Sequence, residues 1–112
     1  MESTRQSKVG RQIQKDISEI LNAHSKELFP GKMFTITSVR VSNDLGQAKI
    51  YVSVFPSEKS EDTVKDLNKH IGIFRNDLGN RMRNQVKKIP ELIFYLDDTL
   101  DYLENIDKLL KK

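Results

Sequence analysis

The chain has 112 residues, with 19 lysines and arginines against 16 aspartates and glutamates, two histidines, no cysteine and a net charge of +3. That length suits one hydrophobic core, so a single domain over residues 1–112 is expected. The lack of cysteine excludes a disulfide framework, thiolate metal sites and thiol chemistry; no apolar run nears the about 20 residues that cross a bilayer, and Met1-Glu2-Ser3-Thr4-Arg5 opens polar, so a cytoplasmic protein with no membrane partner is expected.

From Ser7 to Leu28, Val9, Ile13, Ile17, Ile20, Leu21 and Leu28 recur at helical spacing, while Arg5, Lys8, Gln12 and Lys15 follow one another on another face. Pro30-Gly31 ends this first helix, because proline cannot continue the hydrogen-bond ladder. Phe34 to Val41 reads as a strand, with Phe34 and Ile36 on one parity and Val39 and Val41 on the other, which a bulge or a two-faced strand would explain. Asn43-Asp44-Leu45-Gly46 is a turn in which glycine can take positive φ, joining that strand to a second one. There Ala48, Ile50, Val52 and Val54 alternate with Lys49, Tyr51 and Ser53.

Pro56 stops the second strand, and the serines and acids of Ser57 to Asp62 suit a helix N-terminus. Val64, Leu67, Ile71, Phe74, Leu78, Met82 and Val86 then form a stripe over one long helix interrupted by Gly72 and Gly79. A glycine inside a helix costs about 1 kcal/mol relative to alanine, so a bend is expected, placed at Gly72. Pro90 precedes Leu92-Ile93-Phe94-Tyr95-Leu96, a third strand, and Asp97-Asp98-Thr99 can cap a last helix from Leu100 to Leu110. The order helix, strand, strand, bent helix, strand, terminal helix makes an α+β sandwich, a three-stranded sheet packed by helices on one face.

Charge is unevenly placed. Between Val64 and Lys88 stand Lys65, Lys69, Arg75, Arg81, Arg83, Lys87 and Lys88 against only Asp66 and Asp77, whereas acids dominate from Pro90 onward. On a helical wheel Lys65, Lys69, Gly72, Asn76, Gly79, Asn80, Arg83 and Lys87 fall together, away from the apolar stripe. Cations beside glycines, with amides that donate and accept, would let a phosphate backbone approach closely. The competing explanation is a solvated face that happens to be basic. Arg5, Lys8, Arg11 and Lys15 on the first helix form the next candidate cluster.

Five segments carry a resemblance: Val9-Gly10-Arg11-Gln12-Ile13-Gln14-Lys15, Val39-Arg40-Val41-Ser42-Asn43-Asp44-Leu45, Ala48-Lys49-Ile50-Tyr51-Val52-Ser53, Leu78-Gly79-Asn80-Arg81-Met82-Arg83 and Ile89-Pro90-Glu91-Leu92. In this order and over nearly the whole chain they resemble the ribosome-binding factor A family. The resemblance implies a type II KH domain whose usual GxxG loop is replaced by an Ala-x-Gly kink, here His70-Ile71-Gly72. It also implies binding of 16S rRNA in the free small (30S) subunit and not complete ribosomes, late subunit maturation with processing of the rRNA 5′ end, a role at low temperature, and action as a monomer.

An enzyme needs a nucleophile, a tuned acid or base, or a metal. His24 and His70 belong to no dense ligand cluster, Asp97-Asp98 reads more simply as a helix cap than as paired catalytic carboxylates, and no Walker or Rossmann glycine motif occurs. No catalytic residue, metal or cofactor is therefore expected. The alternative function is a protein-interaction adaptor without direct RNA binding, using the acidic last helix and Tyr51 or Tyr102.

Overall fold

In the computed structural model, which describes residues 3–97, the first helix starts at a capping box. The Ser3 hydroxyl accepts from the Gln6 N–H at 3.1 Å and the Gln6 side chain accepts from the Ser3 N–H at 2.8 Å, satisfying two donors that a helix start leaves orphaned. This cap sets the start of α1 (Thr4–Leu28) three residues before Ser7. Gly31, at φ +80, turns the chain after Pro30. β1 (Met33–Val41), β2 (Gln47–Phe55), α2 (Ser60–Lys69), α3 (Ile71–Met82) and β3 (Glu91–Leu96) follow.

The sheet order is β1-β2-β3, with β1 antiparallel and β3 parallel to β2. A parallel neighbour needs a crossover, and α2 with α3 supplies it. Helix, two strands, two helices and a strand in this pairing are the type II KH-like α+β arrangement. The terminal helix expected over Leu100–Leu110 lies outside the described residues.

Period-2 and period-3.6 patterns meet in one core. Ala48, Ile50 and Val52 of β2 are fully buried, and Ile13, Ile17 and Leu21 of α1 pack over them with Leu67, Phe74 and Leu78 of α2 and α3. Phe74 lies edge-on to Phe94 of β3 at 5.6 Å between ring centroids, an arrangement that aromatic quadrupoles favour. Helix carboxamides also reach the sheet backbone. Asn68 donates to the Phe94 carbonyl at 3.0 Å and accepts from the Phe94 N–H at 2.8 Å; Gln6 and Gln14 donate to the carbonyls of Val41 and Ile36 at 3.0 and 3.3 Å.

The change of parity in β1 is a bulge. Ile36 pairs with Val52 but Ser38 with Tyr51, so Thr37 is the extra residue, and Phe34, Ile36 and Val41 all reach the core. Elsewhere the structure differs from the sequence expectation. In the turn after β1 it is Leu45, not Gly46, that takes positive φ, at 59°; the Ser42 hydroxyl accepts from the N–H groups of Gly46 and Gln47 at 3.1 and 3.0 Å and closes the loop around it. α2 starts within the expected Ser57–Asp62 link and carries Glu61 and Asp62 in its first turn, but its N-cap is Lys59 at φ 57, with no side-chain cap.

The long helix is two helices. The break falls at His70, not Gly72: its N–H reaches the carbonyls of both Leu67 and Asp66, at 3.1 and 3.3 Å, a tightened last turn. The imidazole holds the break from both sides, with Nδ1 2.9 Å from the Asp66 carbonyl oxygen and the ring edge-on to Phe29 at 6.0 Å. A β-carbon built on Gly72 would meet nothing within 4 Å, so packing does not require glycine there. α3 ends at Met82, which removes Lys87 from the helical wheel on which it was placed and leaves Arg83 as the C-cap.

Candidate nucleic-acid interface

α3 presents one groove. Gly72, Arg75, Asn76, Gly79, Asn80 and Ile89 line a shallow hollow of about 480 Å³. Spacings of three and four residues put the glycines and asparagines on one stripe; the missing side chain at Gly72 bares the helix backbone one turn before Asn76, while Ile89 packs against Gly79. Neither Asn76 nor Asn80 makes a side-chain hydrogen bond among the described residues. Arg75 closes the groove by donating from Nη2 to the Ile89 carbonyl at 2.9 Å and from Nε to the Pro90 carbonyl at 3.4 Å. Two of its five N–H donors are so used, and it forms no ion pair among the described residues.

α1 presents the stronger field. Arg5, Lys8, Arg11 and Lys15 border a groove of about 560 Å³ against Met82, Gln85 and Val86. An adjoining hollow of about 310 Å³ shares Arg5, Val9 and Val86 with it and adds Lys87, Lys88 and Pro90. Residues 85–90 thus contribute to all three hollows. None of these six cations lies within ion-pair distance of a carboxylate among the described residues. The one carboxylate lining either α1 hollow, Asp44, is engaged in its own turn. A hydrogen bond from the Ser42 hydroxyl, then one from the Gly46 N–H, hold it below the usual carboxylate range.

The other expected residues are placed differently. Arg81 bonds Glu19 and lies 3.6 Å from the buried Asp16, so its guanidinium is held above the usual arginine value, chiefly by Glu19, and its charge faces α1. Lys69 sits 3.7 Å from Asp66 on an exposed turn. Lys65 and Arg83 are exposed and line none of the three hollows. His24 meets Asp77 at 2.7 Å and Phe74 edge-on, tying α1 to α3. Among the described residues no three histidine, aspartate or glutamate side chains converge as a metal site, and no helix is long and apolar enough to cross a membrane. A helical wheel relates residues of one helix and is blind to the convergence of α1 with residues 85–90. The signal was present as the run Lys87-Lys88 and the spacing of Arg5, Lys8, Arg11 and Lys15, but not their proximity.

A family model described as ribosome-binding factor A matches residues 5–110. The chain belongs to the ribosome-binding factor A family. A Cytophaga hutchinsonii ribosome-binding factor A is 44% identical over 112 residues, spanning all of this chain and 84% of the relative. The crystal structure of ribosome-binding factor A from Thermus thermophilus superimposes with a TM-score of 0.68 at 23% identity, covering 81% of this chain and 94% of that one. A homology model of the Thermus thermophilus factor, fitted into the cryo-EM map of a complex with the 30S subunit, superimposes at 0.61 and 23% identity over 79% and 90% of the two chains. The break at His70 falls on the first residue of the triplet that matches the family's kink.

Proposed function

We propose that this protein binds the free small ribosomal subunit through 16S rRNA, as a monomer, and assists late maturation, including processing of the rRNA 5′ end and assembly at low temperature. The observation that carries the reading is the convergence of Arg5, Lys8, Arg11, Lys15, Lys87 and Lys88 on adjoining hollows with no carboxylate within ion-pair distance among the described residues. Unpaired cations around a groove repel one another, and a polyanion relieves that repulsion while releasing its own counterions. The bare α3 stripe with Asn76 and Asn80 adds donors and acceptors for sugar and phosphate. Membership of the ribosome-binding factor A family and the 30S complex of the Thermus thermophilus factor support the choice of partner.

Sedimentation of cell lysate tests this directly. The protein should travel with free small subunits and be depleted from complete ribosomes; equal occupancy of both would reject the proposal. With purified subunits, log affinity should fall with log salt by about 0.7 to 0.9 for each phosphate neutralised. A protein-binding adaptor would show no RNA-dependent salt slope.

A further inference from the structure

The sheet face opposite the helices carries side chains that the rRNA-binding proposal does not use. Tyr51 of β2 and Tyr95 of β3 are register partners, and their rings stack at 5.6 Å between centroids with 26° between planes. Tyr95 is 38% exposed, and at the far end of the same face Met33 and Phe55, also register partners, are each 69% exposed. On the β1 flank of Tyr51 stand only Thr37 and Ser38, too small to cover an aromatic ring.

Next to the tyrosines lies an arrangement that folding alone disfavours. Arg40 and Lys49 are directly opposite each other on antiparallel strands, both exposed and neither paired with a carboxylate among the described residues. Like charges so placed destabilise a sheet. Lys49 is two residues from Tyr51, or about 7 Å along the strand. The face does hold two carboxylates at its margins. Asp97 accepts from the Thr37 hydroxyl at 2.6 Å, and Glu91 stands beyond Lys49 at the start of β3.

From this juxtaposition we infer that the outer sheet face is a second RNA surface, which takes an unpaired strand with its bases stacked on Tyr51 and Tyr95 and a phosphate between Arg40 and Lys49. Aromatic platforms accept any base because every base has a π face, and an adjacent cation pair tracks the backbone. From Tyr51 to Phe55 the strand spans about 13 Å, enough for two or three unstacked nucleotides. The α1 grooves carry charge but no aromatic side chain, so they suit a phosphate backbone in any structure, whereas this face selects single strands.

The test uses the full chain, a fluorescently labelled octa-uridylate and a 12-base-pair RNA duplex. The chain has three tyrosines and no tryptophan, so tyrosine emission also reports stacking. Octa-uridylate should quench it. Replacing Tyr51→Thr with Tyr95→Thr should weaken octa-uridylate binding at least about ten-fold, since one stacked base is worth about 5- to 150-fold in affinity, and leave duplex binding unchanged. Should the double variant fail to fold by circular dichroism, Tyr95→Thr alone on the short edge strand is read instead. Arg40→Thr should weaken octa-uridylate binding while raising the melting temperature, a combination that a purely structural arginine does not give. Absence of quenching, or folded tyrosine variants that bind octa-uridylate like the wild type, would overturn the inference. Duplex binding measured in parallel reports on the α1 grooves, so failure of the rRNA-binding proposal is seen separately.

Discussion

The two halves of α1 use charge in opposite ways. In the C-terminal half, Asp16 and Glu19 hold the Arg81 guanidinium of α3 within 4 Å, and His24 meets Asp77 at 2.7 Å. In the N-terminal half, Arg5, Lys8, Arg11 and Lys15 have no ion-pair partner among the described residues, and the first turn contains no acid. Both the macrodipole and the three- and four-residue spacing of like charges make that half less stable than a neutral one. One helix thus joins a compensated end that fixes α3 to an uncompensated end that a polyanion can complete.

Phe74→Ala should have the largest effect, because this side chain is fully buried between His24 and Phe94 and serves both halves. A loss of about 3 to 5 kcal/mol is expected in urea titration, with RNA binding falling only as the folded fraction falls. Next, Lys8→Glu with Lys15→Glu should separate binding from folding. The double variant turns three repulsive neighbour pairs, with Arg5 and Arg11, into attractive ones and sets one new carboxylate four residues before Glu19, so the domain should gain on balance, by less than about 1 kcal/mol. Affinity for small-subunit RNA should nevertheless drop about 100-fold, or about 2.7 kcal/mol. A variant that gained stability and kept its affinity would place the RNA elsewhere.

Arg81→Met should give the reverse pattern. Among the described residues it leaves the buried Asp16 with only the Gln12 amide, at 2.8 Å, and should lower the melting temperature, an effect tempered by the exposure of the guanidinium and of Glu19. RNA affinity and salt slope should match the wild type. The smallest expected change is at Gly72→Ala, which fits without contact and should stabilise α3 by up to about 1 kcal/mol in a thermal melt. If RNA lies against the bare helix there, filtration binding should still show weaker affinity.

Patterns that a single segment can satisfy were legible in the sequence. The alternation from Ala48 to Val54 and the parity change between Ile36 and Val39 require only that one sheet face be buried, and both hold. Features that depend on a distant partner were not. Counting charge between Val64 and Lys88 treats Arg81 and Arg83 alike, yet Arg81 is claimed by α1, more than 60 residues away in sequence. The helix break was assigned to Gly72 on propensity, whereas Phe29 and the Asp66 carbonyl pin it at His70. Gly79 and Asn80 were correctly grouped with Gly72 and Asn76, because that stripe lies within one unbroken helix.

The carboxamides of Gln6, Gln14 and Asn68 have a consequence beyond positioning the helices. A three-stranded open sheet has two outer strands, and their unpaired backbone groups are templates on which another chain can extend the ladder. Here Asn68 saturates both the N–H and the carbonyl of Phe94 on β3, and the glutamines occupy the carbonyls of Ile36 and Val41 on β1. At those positions an incoming strand finds its sites already taken. Both outer strands thereby resist recruitment into intermolecular β-sheet.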